Sequence, residues 1–385
     1  MSSRITVAMV AGEASGDQLA AHLIKALREA RPDIDFVGIG GPRMVSAGFQ
    51  AWWPAEKLAV RGYFEVLRHY RELSRIRRTL LARLQETRPA AFIGVDAPDF
   101  NLWLERRLRD SGIAAIHYVS PSIWAWRGGR IKGIARSVSR MLCLFPFEPA
   151  IYEKAGVPVS YVGHPFADEI PVQPQRAAAR ERLALPLDAR VVALLPGSRQ
   201  SELRYNAAAW IGAARELHVR HPELRFLVPL TTRETRTQFE QALWDCGAND
   251  LPVSILFGHA RDALMACDVA LVASGTATLE AALCRAPHVM AYRMHPLSWQ
   301  IMKRMAYQPW GSLPNILAGR FVVPELLQGD ATPTRLADAL DALLGDDAAC
   351  TTQVEQFERM HMTLRQNTAA RAAAAILPHL PRAVA

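Results

Sequence analysis

The sequence predicts an α/β protein of two parallel-sheet domains facing across a cleft, with C-terminal helices packing back on them. Three observations carry that expectation. Short apolar runs alternate with amphipathic segments along most of the chain, the pattern of parallel strands joined by crossover helices. The alternation breaks in ADEIPVQPQRAAARERLALPLDAR, where Pro171, Pro174 and Pro186 interrupt it. A chain of 385 residues is also long for one core and comfortable for two.

In order, ITVAMVAG, DFVGIG, AAFIGVD, AAIHYVS, RMLCLFPF and VSYVGHP each read as a buried strand followed by a turn or helix start. VVALLPGS, RFLVPL, VSILFG, VALVAS and HVMAYRM repeat the pattern in the second half. Beyond about residue 333 the chain turns Ala-rich and helical through Leu377. The expected division is a first domain over 1–170, a linker over 171–189, a second domain over 190–345 and a helical segment over 346–385.

The formal charge of +8 and a pI near 9.5 point to anionic partners: phosphates, nucleic acid or acidic lipid. Charge alone does not choose among them. Five scattered cysteines without a CxxC spacing indicate neither a disulfide framework nor a zinc site, which fits a reducing cytoplasm. The N-terminus reads as a first strand and not as a cleaved leader. No run of about 18 apolar residues is present, so no transmembrane helix is expected.

Ligands of open parallel sheets bind at the carboxyl ends of strands, so the informative residues should follow strands. AGEASGD, Ala11 to Asp17, does so, ahead of a helix expected to begin near Gln18. Gly12 and Ser15 are ligand candidates, Glu13 has no evident structural task and is a candidate acceptor contact, and Asp17 either caps that helix or binds. GIGGPRM follows the second strand but lacks the full GxGxxG spacing, so loop geometry explains its glycines better than a dinucleotide does.

GVDAPDFN, Gly94 to Asn101, places Asp96 and Asp99 where another strand ends. Asp99 precedes the helical stretch FNLWLERRL and is either an acceptor contact or a cap. PGSR follows VVALL, and Gly197, Ser198, Arg199 and the backbone N–H groups of the next helix could hold a pyrophosphate. It lacks the Gly-Lys-Ser/Thr ending of an ATP-hydrolysing loop. SGTATLE offers Ser274, Gly275 and Thr276 at a second helix start, with Glu280 placed to accept from ribose hydroxyls. In LPNILAGR, Asn315 is either a turn former or a ligand contact. In HYVSPSIWAWR, Trp124, Trp126 and Arg127 either join the core or border a sugar or acyl site.

GEASGD, GVDAPDFN, HYVSPSIWAWR, PGSR, SGTATLE and LPNILAGR occur in this order over nearly the whole chain. Together they resemble the lipid-A-disaccharide synthase family. The resemblance implies a GT-B glycosyltransferase joining UDP-2,3-diacylglucosamine to 2,3-diacylglucosamine 1-phosphate, with inversion, to give a β(1→6) disaccharide and UDP. It also implies an acceptor-binding first domain, a UDP-sugar-binding second domain, no nucleic-acid partner and no cofactor. A homodimer stays open.

Inverting transfer needs a base for the acceptor hydroxyl, and Asp96 is the residue expected to supply it. No DxD-like metal motif accompanies the nucleotide segments, so Arg199, backbone N–H groups and helix dipoles are expected to meet the leaving-group charge without a metal. The rival readings are a UDP-sugar epimerase of similar fold and a non-catalytic UDP-sugar binder.

Acylated substrates and the absence of a spanning segment call for docking on an anionic membrane surface, at the cytoplasmic face of the inner membrane. The stretch Arg61 to Leu84 carries seven Arg against two Glu with apolar residues at helical spacing. Leu73, Ile76, Leu80 and Leu84 are expected to pack on the sheet. Phe64, Val66, Leu67 and Tyr70, with Arg68 and Arg71 beside them, are expected to face the membrane.

Overall fold

A computed structural model describes residues 4–58, 66–125, 128–305 and 307–382, with 66–70 as backbone only. The chain divides into two compact units: Met1–Asp168 together with Leu364–Ala385, and Glu169–Thr363. Each is built on its own parallel sheet, as the strand pattern predicts.

The first sheet holds β1 (Ile5–Ala11), β2 (Ile34–Gly40), β3 (Phe49–Pro54), β4 (Ala91–Val95), β5 (Ala114–Tyr118), β6 (Arg140–Cys143) and β7 (Val159–Tyr161), in the order β3-β2-β1-β4-β5-β6-β7. Its central strands are buried on both faces, hence the unbroken apolar runs VAMVA and AFIGV. Helices α1 (Ala14–Ala30), α2 (Pro42–Ser46), α3 (Val66–Thr87) and α4 (Pro98–Asp110) follow β1, β2, β3 and β4. The strand β3, FQAWWP, escapes the sequence pattern because it is an edge strand with a partly exposed, irregular profile.

The face of α3 expected to pack on the sheet does so through Ile76, Leu80 and Leu84, all buried with Phe92, Leu104 and Leu108. Leu73 is only half-buried. Arg71 is exposed. Of the other expected membrane-facing residues, Phe64 and the side chains of Val66, Leu67, Arg68 and Tyr70 lie outside the described residues.

The second sheet holds β8 (Val191–Leu195), β9 (Arg225–Leu230), β10 (Val253–Phe257), β11 (Val269–Val272), β12 (His288–Tyr292) and β13 (Glu325–Leu327), in the order β10-β9-β8-β11-β12-β13. Three residues are too few for β13 to show a sequence period. The stretch expected as the linker, 171–189, is grouped with this unit. Its helix Arg176–Arg182 is anchored by the buried Arg180, whose Nε donates to the Ala266 carbonyl at 3.0 Å, and by ion pairs to Asp268 and Asp262.

The C-terminal helices are present as expected, but they are shared. Pro333–Leu344 packs on the second unit, while Thr368–Ile376 packs against α1. The Asp168 carboxylate accepts from the N–H groups of Asn367 and Thr368 at 3.0 and 2.7 Å, capping the latter helix.

Candidate active site

In each sheet the strand order reverses at one place, between β1 and β4 in the first and between β8 and β11 in the second. Such switch points leave a crevice at the strand ends. AGEASGD follows β1, GVDAPDFN spans the end of β4, PGSR follows β8 and SGTATLE spans the end of β11. Four of the six motifs thus flank the two crevices.

In the first unit the register Ala11↔Val95 brings Gly12 and Asp96 to the same edge. Asp96 and Ala97 both adopt left-handed backbone, with φ of +52° and +43°. Non-glycine residues pay roughly 1–2 kcal/mol each for that conformation. The turn is held: Asp96 N donates to the Tyr118 carbonyl at 2.8 Å, and the fully buried Asn101 donates through Nδ2 to the Asp96 carbonyl at 2.8 Å. Val119, at the end of β5, adds a third strained residue at φ +84°. Backbone strain of this kind concentrates at functional sites.

Gly12, Glu13 and Asp99, three of the four expected acceptor contacts, line one cavity of about 280 Å³ together with Ala97. Ser15 is exposed on the first turn of α1 and does not join them. Helix α1 begins at Ala14, four residues earlier than expected, so Glu13 sits at its N-cap without a side-chain capping bond. Asp17 does not cap that helix. It is buried, and its carboxylate accepts from the N–H groups of Gly41, Arg43 and Met44 at 2.9–3.0 Å, capping α2 from across the sheet edge. Asp99 is not an N-cap either; Ala97 holds that position, and the exposed Asp99 carboxylate pairs with Arg130 at 2.6 Å.

Beside Gly94, two residues before Asp96, lies a pair that sequence reasoning missed. His117 Nδ1 and Glu105 Oε1 are 2.7 Å apart, and both side chains are fully buried. Burial raises the Glu105 carboxyl above its ordinary range, opposed by His117. A helix Glu and a strand His twelve residues apart carry no joint sequence signal.

Trp124 is half-buried: its indole N–H donates to Glu148 at 3.2 Å and its ring meets Phe145 and Phe147 edge-on. Trp126 and Arg127 lie outside the described residues.

In the second unit, Gly197 after β8 and Gly275 after β11 share a φ of +127°, a conformation open to glycine and strained for other residues. At Gly197 the turn closes on Glu202, whose Oε2 accepts from the N–H groups of Ser198 and Arg199 at 2.8 and 3.1 Å. The N–H groups of Ser198 and Arg199, just ahead of the helix Gln200–Arg220, are thus occupied by a carboxylate in a capping interaction of that helix. The side chains of Ser198 and Arg199 are exposed.

Nothing lies within 4 Å of a Cβ placed on Gly275, and Gly275 and Thr276 are exposed at the start of the helix Thr276–Leu283. Ser274 Oγ donates to the Gly311 carbonyl at 2.9 Å. Glu280 Oε1 accepts from Arg261 Nε at 2.8 Å, and Arg261 also pairs with Glu169 at 3.0 Å. Burial would depress the Arg261 guanidinium, but the two carboxylates outweigh it and hold it above its ordinary range.

Asn315 requires a correction. It is fully buried, with Nδ2 donating to Val323 O and Glu325 Oε1 and Oδ1 accepting from Val322 N and Val323 N, all at 2.7–2.8 Å. Both donors and both acceptor positions are used, so Asn315 shapes its loop and has nothing left for a ligand. Glu325, which sequence reasoning passed over, is the other half of that device: it also accepts from Gly311 N, Ser312 N and Ser312 Oγ at 2.8–2.9 Å.

The fold is shared at low identity by two solved structures that cover the chain almost end to end. The glycotransferase of kitacinnamycin covers 98% of this chain and 100% of its own at a TM-score of 0.63 and 17% identity. The UDP-GlcNAc 2-epimerase from Neisseria meningitidis bound to UDP-GlcNAc covers 97% and 99% at 0.58 and 12%. The family model described as lipid-A-disaccharide synthetase matches residues 7–377. A lipid-A-disaccharide synthase of Aromatoleum aromaticum is 65% identical over 376 residues, 98% of this chain and 96% of that one. Fold, strand-end sites and relatives define a GT-B glycosyltransferase. The chain belongs to the lipid-A-disaccharide synthase family.

Proposed function

We propose that this chain transfers 2,3-diacylglucosamine from UDP to the 6-hydroxyl of 2,3-diacylglucosamine 1-phosphate, with inversion, releasing UDP. The observation that carries this reading is the strained Asp96–Ala97 turn against a cavity lined by Gly12, Glu13 and Asp99, in a chain of this family. The acceptor binds at the first unit's crevice. Asp96 takes the proton of its hydroxyl as that oxygen attacks the anomeric carbon, a contribution worth about 10²–10⁴-fold in rate.

The donor binds at the second unit's crevice. Its diphosphate meets the open helix start at Gly275 and Thr276, the Ser198 hydroxyl and the Arg199 guanidinium, where N–H groups and helix dipole favour the departing charge. Glu280, oriented by Arg261, addresses the ribose. The epimerase reading shares the fold, but membership of the family disfavours it.

No helix among the described residues is long and apolar enough to cross a membrane. The proposed docking is peripheral, on the cytoplasmic face of the inner membrane, through the basic stretch Arg61 to Leu84. Replacing Phe64, Val66, Leu67 and Tyr70 with serine is expected to release the chain from anionic liposomes while UDP affinity and melting temperature hold. Continued sedimentation with the vesicles would remove these residues from the membrane face. The catalytic reading is tested by UDP release: it should require an acylated acceptor, and release from the donor alone at the same rate would refute it.

A further inference from the structure

The cavity beside the Asp96–Ala97 turn has a lining of two chemical kinds. Leu58, Leu73, Ala97, Pro98 and Phe100 supply carbon, brought together from the segment after β3, from α3 and from the start of α4. Glu13, Arg77 and Asp99 supply charge. Glu13 and Asp99 are exposed, and the Arg77 guanidinium lies 4.2 Å from the Trp103 ring, with Nη1 directed to the Asp99 carbonyl at 3.5 Å. Arg130 pairs with the Asp99 carboxylate at the same place.

A pocket for a free sugar would present polar groups along its walls, because every buried hydroxyl needs a partner. Of this lining only Glu13, Ser74, Arg77 and Asp99 carry polar side-chain groups, and the rest is carbon. An amphiphile with a hydrocarbon chain, a sugar head and an anionic group matches the division: chain against the apolar walls, head beside the Asp96 turn, negative charge towards Arg77 and Arg130. Ala97 joins the two parts, since it is both a wall of the cavity and the residue after Asp96.

We propose that this cavity receives an acyl chain of the acceptor and that Leu73, half-buried on α3 and lining it, sets how long a chain is taken. The proposal rests on the acceptor reading above. Contact with the chain is lost roughly in proportion to the apolar surface removed, so filling the cavity penalises long chains and spares short ones.

The test is competition binding of 2,3-diacylglucosamine 1-phosphate with short or long acyl chains, read against a fluorescent long-chain fatty acid on the full-length protein. Leu73→Trp should weaken the long-chain ligand by at least about tenfold relative to the short one, the loss expected when two or so methylenes lose their contacts. Leu73→Ala should move the ratio the other way. Melting temperature and UDP affinity should hold in both. An unchanged long-to-short ratio in both variants overturns the proposal. Binding is read without turnover, so a failure of the glycosyl-transfer reading appears separately, as chain-length-dependent binding with no acceptor-dependent UDP release.

Discussion

Asn101 Nδ2 donates to the Asp96 carbonyl at 2.8 Å and points to the Val10 carbonyl at 3.4 Å. One buried side chain from α4 thus ties together the ends of β1 and β4, the two strands that flank the first switch point. The left-handed Asp96–Ala97 turn persists because this tie and the Asp96 N–H bond to Tyr118 over-determine it. The carboxylate is then presented from a rigid edge and not from a free loop.

Asp96→Asn keeps the shape of the turn and removes the base. Turnover should fall by about 10²–10⁴-fold, while calorimetric UDP affinity stays at the wild-type value. Near-normal turnover in this variant would end the assignment.

Gly94→Ala tests the buried pair. A Cβ at this position would lie 2.2 Å from Glu105 Oε1 and 2.8 Å from the Asn101 Cβ, so one methyl group must displace a fully buried carboxylate or the residue that braces Asp96. Overpacking of a tight core typically costs about 1–3 kcal/mol. A lowered melting temperature and lowered turnover should appear together; a variant with both unchanged would show that this core yields freely.

Arg199→Ala and Glu280→Ala should weaken UDP, the first through the diphosphate and the second through the ribose. A charge-assisted hydrogen bond contributes about 1.5–3 kcal/mol, so a loss on the order of tenfold or more is expected from each. Uridine, which has no phosphate, should sense Glu280→Ala but not Arg199→Ala. Unchanged UDP affinity in both variants, or a loss of uridine affinity in Arg199→Ala as large as that of UDP, would relocate the pocket.

Glu148 makes the first unit's stability depend on pH. Burial pushes its carboxyl up to about 7 from 4.5, partly offset by the bonds it accepts from Phe145 N, Ser120 and Trp124. Its folded pKa lies above the unfolded one, so between about 4.5 and 7 the folded chain binds more protons and stability falls as pH rises. Below that window both states are protonated and the cost vanishes. Glu148→Gln should therefore lose less melting temperature than wild type between pH 5 and pH 8; parallel curves would mean that the carboxyl titrates normally.

The sequence by itself determined the class of fold, most strands and the strand ends at which the proposed site residues lie. Those properties are local: an apolar run long enough for one strand, a glycine and a hydroxyl at its end, a proline where a strand cannot continue. What a polar side chain does at such a place depends on what approaches it, and that was decided only by tertiary structure. Asp17 sits in the first turn of α1, yet it caps α2, because the β1–β2 pairing brings three N–H groups of another segment within 3.0 Å. Asn315 reads in sequence as either a turn former or a ligand contact; the segment leading into β13 supplies Val322, Val323 and Glu325, which use all its hydrogen-bonding groups. Glu202 reaches back to take the N–H groups of Ser198 and Arg199, and Glu105 and His117 meet only once α4 has packed on β5. Hydrogen bonds have a range of about 3 Å, and the partner that satisfies a group is set by three-dimensional proximity, which residue type and spacing do not encode.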